Sequence, residues 1–334
     1  MKALVTGATG FLGAAVVARL RADGVRVRAL VRSADVACAA EECCVGDLRD
    51  VEALKRAVAD VDWVVHAGAR VSTHGQWSEF EAVNVAGTEA LIQQAIAAGV
   101  RRFVHVSSLS VYAVPADGAL VSEDSAYDDG AGERGFYARS KLAADQVASR
   151  AMQSGAPLTI VRPGLLYGPG RTPPLARRSV AVGPLRVLLA SPNYLLPLAY
   201  VDNVADAIAL AAAAPAAAGR AYTIVDVLAR QADYARLYRQ VSGARWLPVY
   251  VPLSALRAAA SGAERVATLL GRRAPITRHQ VERTLRSATF LTRRAHDELG
   301  WQPRVPLEQA LRRSFEPRPR GAADSAGAPA HSPA

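Results

Sequence analysis

The chain has 334 residues, 51% of them hydrophobic and 21% charged, and a formal net charge of +10. That length suits two domains or one large α/β unit with a full core. The composition excludes collagen-like, disulfide-framework and wholly disordered chains. Residues 1–226 balance 22 Lys/Arg against 22 Asp/Glu, whereas residues 227–334 carry 18 Arg against 8 Asp/Glu, so the whole excess lies in the last third. A nucleic-acid binder more often spreads its charge along an aromatic platform or a recognition helix, so no nucleic-acid partner is expected. Lysine is rare: Lys2, Lys55 and Lys141 are the only three. The cysteines, Cys38, Cys43 and Cys44, are odd in number and show no metal-ligand spacing, which fits a reducing compartment and no metal site. The first residues read as a strand, so no leader is expected, and the longest apolar stretches are broken by charge or proline. A cytoplasmic protein with no integral membrane segment is expected.

Strands are expected at Lys2–Thr6, Val25–Val31, Glu42–Gly46, Asp62–His66, Arg102–Val106 and Leu158–Arg162. Helical spacing falls between them at Phe11–Leu20, Val51–Val58, Glu79–Ala98 and Tyr137–Met152. That alternation predicts right-handed βαβ units, an α/β Rossmann-type doubly wound parallel sheet. Residues 163–174 hold four prolines and three glycines and read as loop. Asp202–Ala214 reads as a helix and Ala221–Val225 as a strand. Residues 229–315 look helical with irregular joints, and Glu316–Ala334 has no apolar periodicity, as in a disordered tail. The domains expected are a dinucleotide-binding part at 1–165 plus about 200–226, and a smaller, mainly helical substrate part at 166–199 and 227–315.

Thr6-Gly-Ala-Thr-Gly-Phe-Leu-Gly13 joins the first strand to the first helix. Gly7 suits the tight turn, Gly10 lets backbone approach a pyrophosphate, and Gly13 lets the helix pack closely on the strand. The helix N-terminus offers free N–H groups and a positive dipole to phosphates. Thr9, Phe11 and Leu12 belong to the same expected cofactor loop. An NAD site places an acid at the end of the second strand, but Leu30-Val-Arg-Ser33 has none. Arg32 and Ser33 suit a 2′-phosphate, so NADP(H) is favoured with NAD(H) as the alternative. Asp47 and Leu48 after the third strand, and Ala67-Gly68-Ala69 after the fourth, are expected to lie along the cofactor.

Tyr137 and Lys141 are four apart, which puts both on one helix face. A phenol is a poor base at its free pKa near ~10, and an ammonium beside it favours the phenolate. Tyr137 can then exchange a proton with a carbinol or carbonyl oxygen while hydride moves at carbon. Ser108 follows the fifth strand, at the sheet end where α/β proteins bind ligands, and can hold the same oxygen.

These motifs occur in the order of a known family. The chain resembles the extended short-chain dehydrogenase/reductases, the NAD-dependent epimerase/dehydratase superfamily. The resemblance rests on TGATGFLG from Thr6, GDL from Gly46, NVAGT from Asn84 and SSLSVY from Ser107. It continues through YARSK from Tyr137, RPGLLYGPG from Arg162 and YVDNVADA from Tyr200. It implies a triad of Ser108, Tyr137 and Lys141, the serine being the one four residues before Tyr112. It implies that Asn84 supports the site, and that Ser107, Pro163, Gly164, Tyr137 and Lys141 also border the cofactor. A homodimer follows from the same resemblance, through the helices at 79–98 and 137–152.

Three departures narrow the branch. Sugar-nucleotide dehydratases carry an acid pair after the catalytic hydroxyl, but here Leu109 and Ser110 follow Ser108. Arg32 argues for an exchanging NADP(H) and net reduction. Asn193-Tyr-Leu-Leu-Pro-Leu-Ala199 is mostly apolar where nucleotide-sugar binders place polar residues. The segment from Arg273 through Leu299-Gly-Trp301 to Leu311 resembles the 3β-hydroxysteroid dehydrogenase-like branch, which includes 2-alkyl-3-oxoalkanoate reductases. His74, Trp77, Leu109, Tyr167 and Tyr194 are the expected substrate contacts. The reading is an NAD(P)-dependent oxidoreductase (EC 1.1.1.-) interconverting a secondary alcohol and a ketone on a small, hydrophobic steroid-, lipid- or β-keto-acid-like molecule. The alternatives are a nucleotide-sugar epimerase or reductase, or a non-catalytic NADP-sensing protein.

Overall fold

The structure is a computed structural model that describes residues 1–72, 74–171, 173–177, 179–269, 281 and 285–316. In chain order it begins β1 (Lys2–Thr6), α1 (Phe11–Ala22), β2 (Arg26–Val31), β3 (Glu42–Val45), α2 (Val51–Val58) and β4 (Trp63–His66). Then come α3 (Trp77–Phe80), a π-helical stretch (Glu81–Ala86), α4 (Gly87–Ala97), β5 (Arg102–Val106), β6 (Ala119–Val121) and α5 (Phe136–Gln153). The second half holds β7 (Leu158–Pro163), β8 (Leu165–Tyr167), α6 (Pro174–Arg177), β9 (Ser179–Val182), β10 (Leu185–Leu189), β11 (Leu195–Tyr200) and α7 (Val201–Ala213). It continues with β12 (Arg220–Ile224), β13 (Val227–Arg230), α8 (Gln231–Ser242), β14 (Leu247–Val251), α9 (Leu253–Leu269) and β15 (Ala288–Phe290).

Seven strands form one sheet in the order β12-β7-β5-β4-β1-β2-β3, and every neighbouring pair is parallel. Parallel strands buried on both faces read as continuous apolar runs, as Ala3-Leu4-Val5 and Val64-Val65 do. Helices cover both faces. Val16, Val17 and Leu20 of α1 meet Val204 and Ile208 of α7 on one side. Leu54 of α2, Leu91 and Ile92 of α4 and Val147 of α5 fill the other. The strand order reverses between β1 and β4, and a crevice opens at such a switch point beyond the carboxyl ends of the strands. This is the expected Rossmann-type architecture.

Three local differences from the sequence reading have physical causes. The expected helix over 79–98 begins at Trp77 and passes through the π-helical stretch before becoming α4. That wider turn leaves the Asn84 side chain buried and bonded across to another segment. The loop expected at 163–174 contains β8, because Leu165-Leu166-Tyr167 finds a parallel partner in β11. The last third is less helical than expected. β13 pairs with β11, β14 with β10, and β15 with β6. Registered neighbours Val182, Leu185 and Leu247 share one face of the β9–β10–β14 sheet with Val180, Val187 and Val249, so that face is apolar throughout. Of the tail expected at 316–334, residues 317–334 lie outside the described residues. No helix among the described residues is long and apolar enough to cross a membrane.

Candidate active site

The glycine loop sits at the switch point. Gly7 has φ +67°, and a Cβ there would stand 2.7 Å from the Gly68 backbone, so β1 and β4 approach at a distance only glycine permits. A Cβ on Gly13 would stand 2.0 Å from the Gly7 carbonyl oxygen. Gly10 caps α1 with extended backbone and no side-chain bond, and the first helical turn carries no acid. The loop and helix end thus present N–H groups and positive dipole toward the crevice, which fits a dinucleotide pyrophosphate. Thr9 and Phe11 are half-buried at this edge, while Leu12 turns into the core.

A directed chain of hydrogen bonds ties the loop to Asn84. Gly68 N–H donates to Thr6 Oγ1 at 3.1 Å. Thr6 Oγ1 lies 2.7 Å from His66 Nδ1, and His66 Nε2 lies 2.9 Å from Thr88 Oγ1. Thr88 spends its own proton on the Asn84 carbonyl at 2.6 Å. Its oxygen therefore accepts from His66 Nε2–H, and Nδ1 accepts from Thr6. His66 is neutral, and burial pushes its pKa down to about 3, helped by the Lys141 charge. Sequence reading missed His66, Thr6 and Thr88 because their partners lie on different strands and helices.

Helix α5, which carries Tyr137 and Lys141, leaves Gly135, whose φ of +101° sets the chain's entry to its first turn. Asn84 Nδ2 donates to Ser140 Oγ at 2.8 Å, and Ser140 donates to the Tyr137 carbonyl at 2.9 Å. Asn84 also accepts from Arg70 N–H at 2.7 Å and donates to the Arg70 carbonyl at 3.1 Å. It therefore joins the segment after β4 to the start of α5. Lys141 is buried and donates to the Val106 carbonyl at 2.6 Å, at the end of β5. Burial lowers its pKa to about 8, against the pull of Asp145 one turn further along α5. Asp145 holds Arg162 through two bonds, of 2.9 and 2.7 Å. Tyr112 and Tyr127 hydroxyls complete the guanidinium's surroundings.

Tyr137 is half-buried, and desolvation raises its pKa above the ordinary phenol value. The charge that pulls it back is Arg171. Helical spacing assigns that task to Lys141, whose ammonium is instead turned to the Val106 carbonyl. Ser108 follows β5 in extended backbone, half-buried, and its hydroxyl accepts from Ser110 N–H at 3.1 Å, leaving its own proton to donate. Ser107 is buried, and its Oγ has no hydrogen-bond partner among the described residues. Orphan polar atoms in a crevice lined by backbone N–H groups suit a polar cofactor. Pro163 ends β7, and a Cβ on Gly164 would stand 2.4 Å from the Pro197 carbonyl oxygen, so backbone packs tightly beside the crevice.

Arg32 and Ser33 are exposed just beyond β2, where Arg32 is close enough to help depress the Asp47 pKa. The larger cause is Arg49, which binds Asp47 at 2.7 Å. Leu48 packs under Gly68 and Gly87, while Ala67 and Ala69 are half-buried along the same edge.

The expected substrate residues divide. His74 is exposed, and its backbone is bonded at both ends to the Ser72 hydroxyl. Trp77 opens α3 and is covered by the Arg139 guanidinium at 3.7 Å from its ring centre. Leu109 packs with Val111 and Tyr112 in a small apolar cluster. Tyr167 and Tyr194 belong to the main core, Tyr167 edge-on against Tyr200 at 5.6 Å. The three are packing residues in this conformation because their apolar bodies have neighbours to fill.

A sheet with a switch point, a glycine loop on it, and a Tyr/Lys helix beside β5 define a nucleotide-cofactor protein of the doubly wound class. The model of the NAD dependent epimerase/dehydratase family matches residues 3–225, and the chain belongs to that family. The chain is similar to a 2-alkyl-3-oxoalkanoate reductase of Stenotrophomonas maltophilia (strain K279a), 33% identical over 330 residues covering 94% of this chain and 98% of the relative. It is also similar to a 4-hydroxy-2-methyl-3-oxo-4-farnesyl-3,4-dihydroquinoline-1-oxide ketoreductase of Stigmatella aurantiaca, 31% identical over 93% of this chain and 95% of the relative. Among solved structures, the crystal structure of gox2253 superimposes with a TM-score of 0.80 at 28% identity, covering 93% of this chain and 96% of that one.

Proposed function

We propose that the protein is a ketoreductase of the short-chain dehydrogenase/reductase type, interconverting a ketone and a secondary alcohol on an apolar substrate. Residues 1–165 with about 200–226 would hold the cofactor, and 166–199 with 227–315 the substrate. The observation that carries the reading is Lys141, one turn from Tyr137 on α5, donating to the Val106 carbonyl at the end of β5, two residues before Ser108. The ketoreductases among the relatives support it. So does the apolar face of the β9–β10–β14 sheet in the segments assigned to substrate.

A bound nicotinamide dinucleotide would supply or accept the hydride. Gly7, Thr9, Gly10 and the N-terminus of α1 would hold its phosphates, with Ser107 and Lys141 near its inner ribose. Arg32 and Ser33 favour NADP(H), since neither is acidic and both can donate to a 2′-phosphate. In reduction, Tyr137 donates its phenolic proton to the carbonyl oxygen as carbon accepts hydride. Ser108 donates a hydrogen bond to the same oxygen and holds it near the phenol. The Arg171 cation stabilises the phenolate that remains. A homodimer through α4 and α5 belongs to the same reading and is checked by light scattering.

The test is turnover followed by nicotinamide absorbance with a β-keto acid, a steroid ketone and a UDP-sugar. Reduction of a ketone by NADPH is expected, and Tyr137→Phe lowers kcat by ~10²–10⁴-fold. Turnover of the UDP-sugar alone, with no net redox, overturns the reading.

A further inference from the structure

Arg171 is the cation whose charge reaches Tyr137, and the chemistry above uses it only as a charge. It follows the Gly168-Pro-Gly170 turn, closed by its own N–H donating to the Gly168 carbonyl at 3.1 Å. A Cβ on Gly168 would stand 3.3 Å from Phe11 Cζ and 2.7 Å from Val201, so the turn is pressed against the cofactor loop and α7. The guanidinium lies over the Phe11 ring, 5.0 Å from its centre. Burial lowers its pKa, and among the described residues Tyr137 is the group that pulls the other way.

An arginine taken part-way out of water normally finds a carboxylate or a set of carbonyls. Arg171 has neither. Among the described residues it makes no ion pair and no side-chain hydrogen bond, and its ring contact engages the guanidinium face rather than its N–H edge. The chain supplies no acid nearby in sequence either: no Asp or Glu occurs between Asp145 and Asp202. The half-buried fork is thus held by Phe11 and the glycine turn, close to the phenol, with its donors unspent. A planar, bidentate donor of that kind matches an oxyanion.

We propose that Arg171 binds a carboxylate on the substrate, next to the carbonyl that Tyr137 protonates. This rests on the ketoreductase reading and narrows its substrate to a keto acid with an apolar tail. An oxyanion at this place could also be a cofactor phosphate, since Phe11 stands in the glycine loop, and the experiment separates the two.

The measurement is the ratio of kcat/KM for 3-oxooctanoate to that for its methyl ester, in wild type, Arg171→Gln and Arg171→Lys. Wild type prefers the acid by at least tenfold, carried in KM. Arg171→Gln brings the ratio near one, and Arg171→Lys recovers part of it. Fluorescence titration gives the same NADPH affinity for all three proteins. A ratio near one in wild type, or a ratio unmoved by Arg171→Gln, overturns the proposal. Weakened NADPH binding with an unchanged ratio overturns it in favour of the cofactor phosphate. If wild type reduces neither compound but does reduce a steroid ketone, the proposal fails and the ketoreductase reading stands; if it reduces no ketone, the ketoreductase reading fails. Calorimetry with 3-hydroxyoctanoate and its methyl ester then decides on Arg171 alone, and equal affinity for the two overturns it.

Discussion

The side-chain amide of Asn84 donates to the hydroxyl of Ser140 at 2.8 Å, across 56 residues of sequence. Through that bond and two to Arg70, one buried side chain joins the π-helical stretch, the segment after β4 and the first turn of α5. Tyr137 stands on that turn, held through its carbonyl by Ser140. Asn84→Asp keeps the shape but loses both donors when ionised, and leaves the Arg70 carbonyl unpaired. The expected cost is ~1–3 kcal/mol of stability, read from urea unfolding. The activity should fall mainly in kcat, because the phenol is displaced rather than the substrate pocket, and Asn84→Gln should not restore it.

Lys141 gives a pH dependence with a definite sign. Its ammonium is lost above about 8, because burial has lowered its pKa from the ordinary lysine value. In the proposed reaction Lys141 holds the inner ribose of the cofactor, and a charged ammonium donates there more strongly than a neutral amine. The rate of reduction should therefore hold level from pH 6 to 7.5 and fall above about 8. Lys141→Met removes that descending limb and raises the KM for the cofactor at pH 7 by about tenfold, as the loss of a charge-assisted contact implies. A limb that survives in Lys141→Met belongs to some other group.

The sheet, the glycine loop and the Tyr137–Lys141 spacing were legible because their signals are local. A glycine loop between a strand and a helix, and a tyrosine four residues before a rare lysine, depend only on neighbours in sequence. Asn84 was legible as a motif, but its partner Ser140 was not, since nothing in sequence sets that pairing. His66 read as the end of an apolar strand. Its role between Thr6 and Thr88 appears only once β4 lies between β1 and β5. Arg171 was hidden for the opposite reason: an arginine in a proline- and glycine-rich loop of an arginine-rich chain looks like surface. The aromatic residues Tyr167 and Tyr194 read as substrate contacts and lie buried in the main core. Composition cannot tell a greasy wall from a packed interior.

Arg32 tests the cofactor. It is exposed at the end of β2 with no acid in the Leu30–Ser33 stretch. If it grips a 2′-phosphate, Arg32→Ala should raise the KM for NADPH about tenfold, as a lost charge-assisted contact of ~1.5–3 kcal/mol implies. The KM for NADH should stay within about twofold, because that cofactor lacks the phosphate. Equal effects on both would assign Arg32 to the loop rather than to the phosphate.

Asp145 and Arg162 form the most buried ion pair among the described residues, with side chains 0% and 4% exposed. Asp145 lies one turn beyond Lys141, so the pair fixes α5 against β7 behind the catalytic face. Removing one partner strands the other charge. Arg162→Met should cost ~3–5 kcal/mol and lower the melting temperature, whereas a double change of Arg162→Met with Asp145→Leu should recover much of the loss. The sum of the single effects would show instead that the two do not act as a pair.

Asp226 carries the opposite electrostatic problem. Its Oδ2 accepts from Tyr200 N–H at 2.6 Å and from Asn203 at 2.9 Å, while its buried Oδ1 has no partner among the described residues. Desolvation outweighs these two bonds and pushes its pKa up to about 7 from 3.8. A folded pKa above the unfolded one means the native state binds the proton more tightly. The stabilisation is full below 3.8 and is lost as pH rises through about 7. Asp226→Asn keeps an oxygen for Tyr200 and Asn203 and places an uncharged amide where Oδ1 stands. It should raise the unfolding free energy at pH 8 by ~1–3 kcal/mol, with the gain shrinking toward pH 5. A gain that is the same at both pH values would mean that the carboxylate charge is not its source.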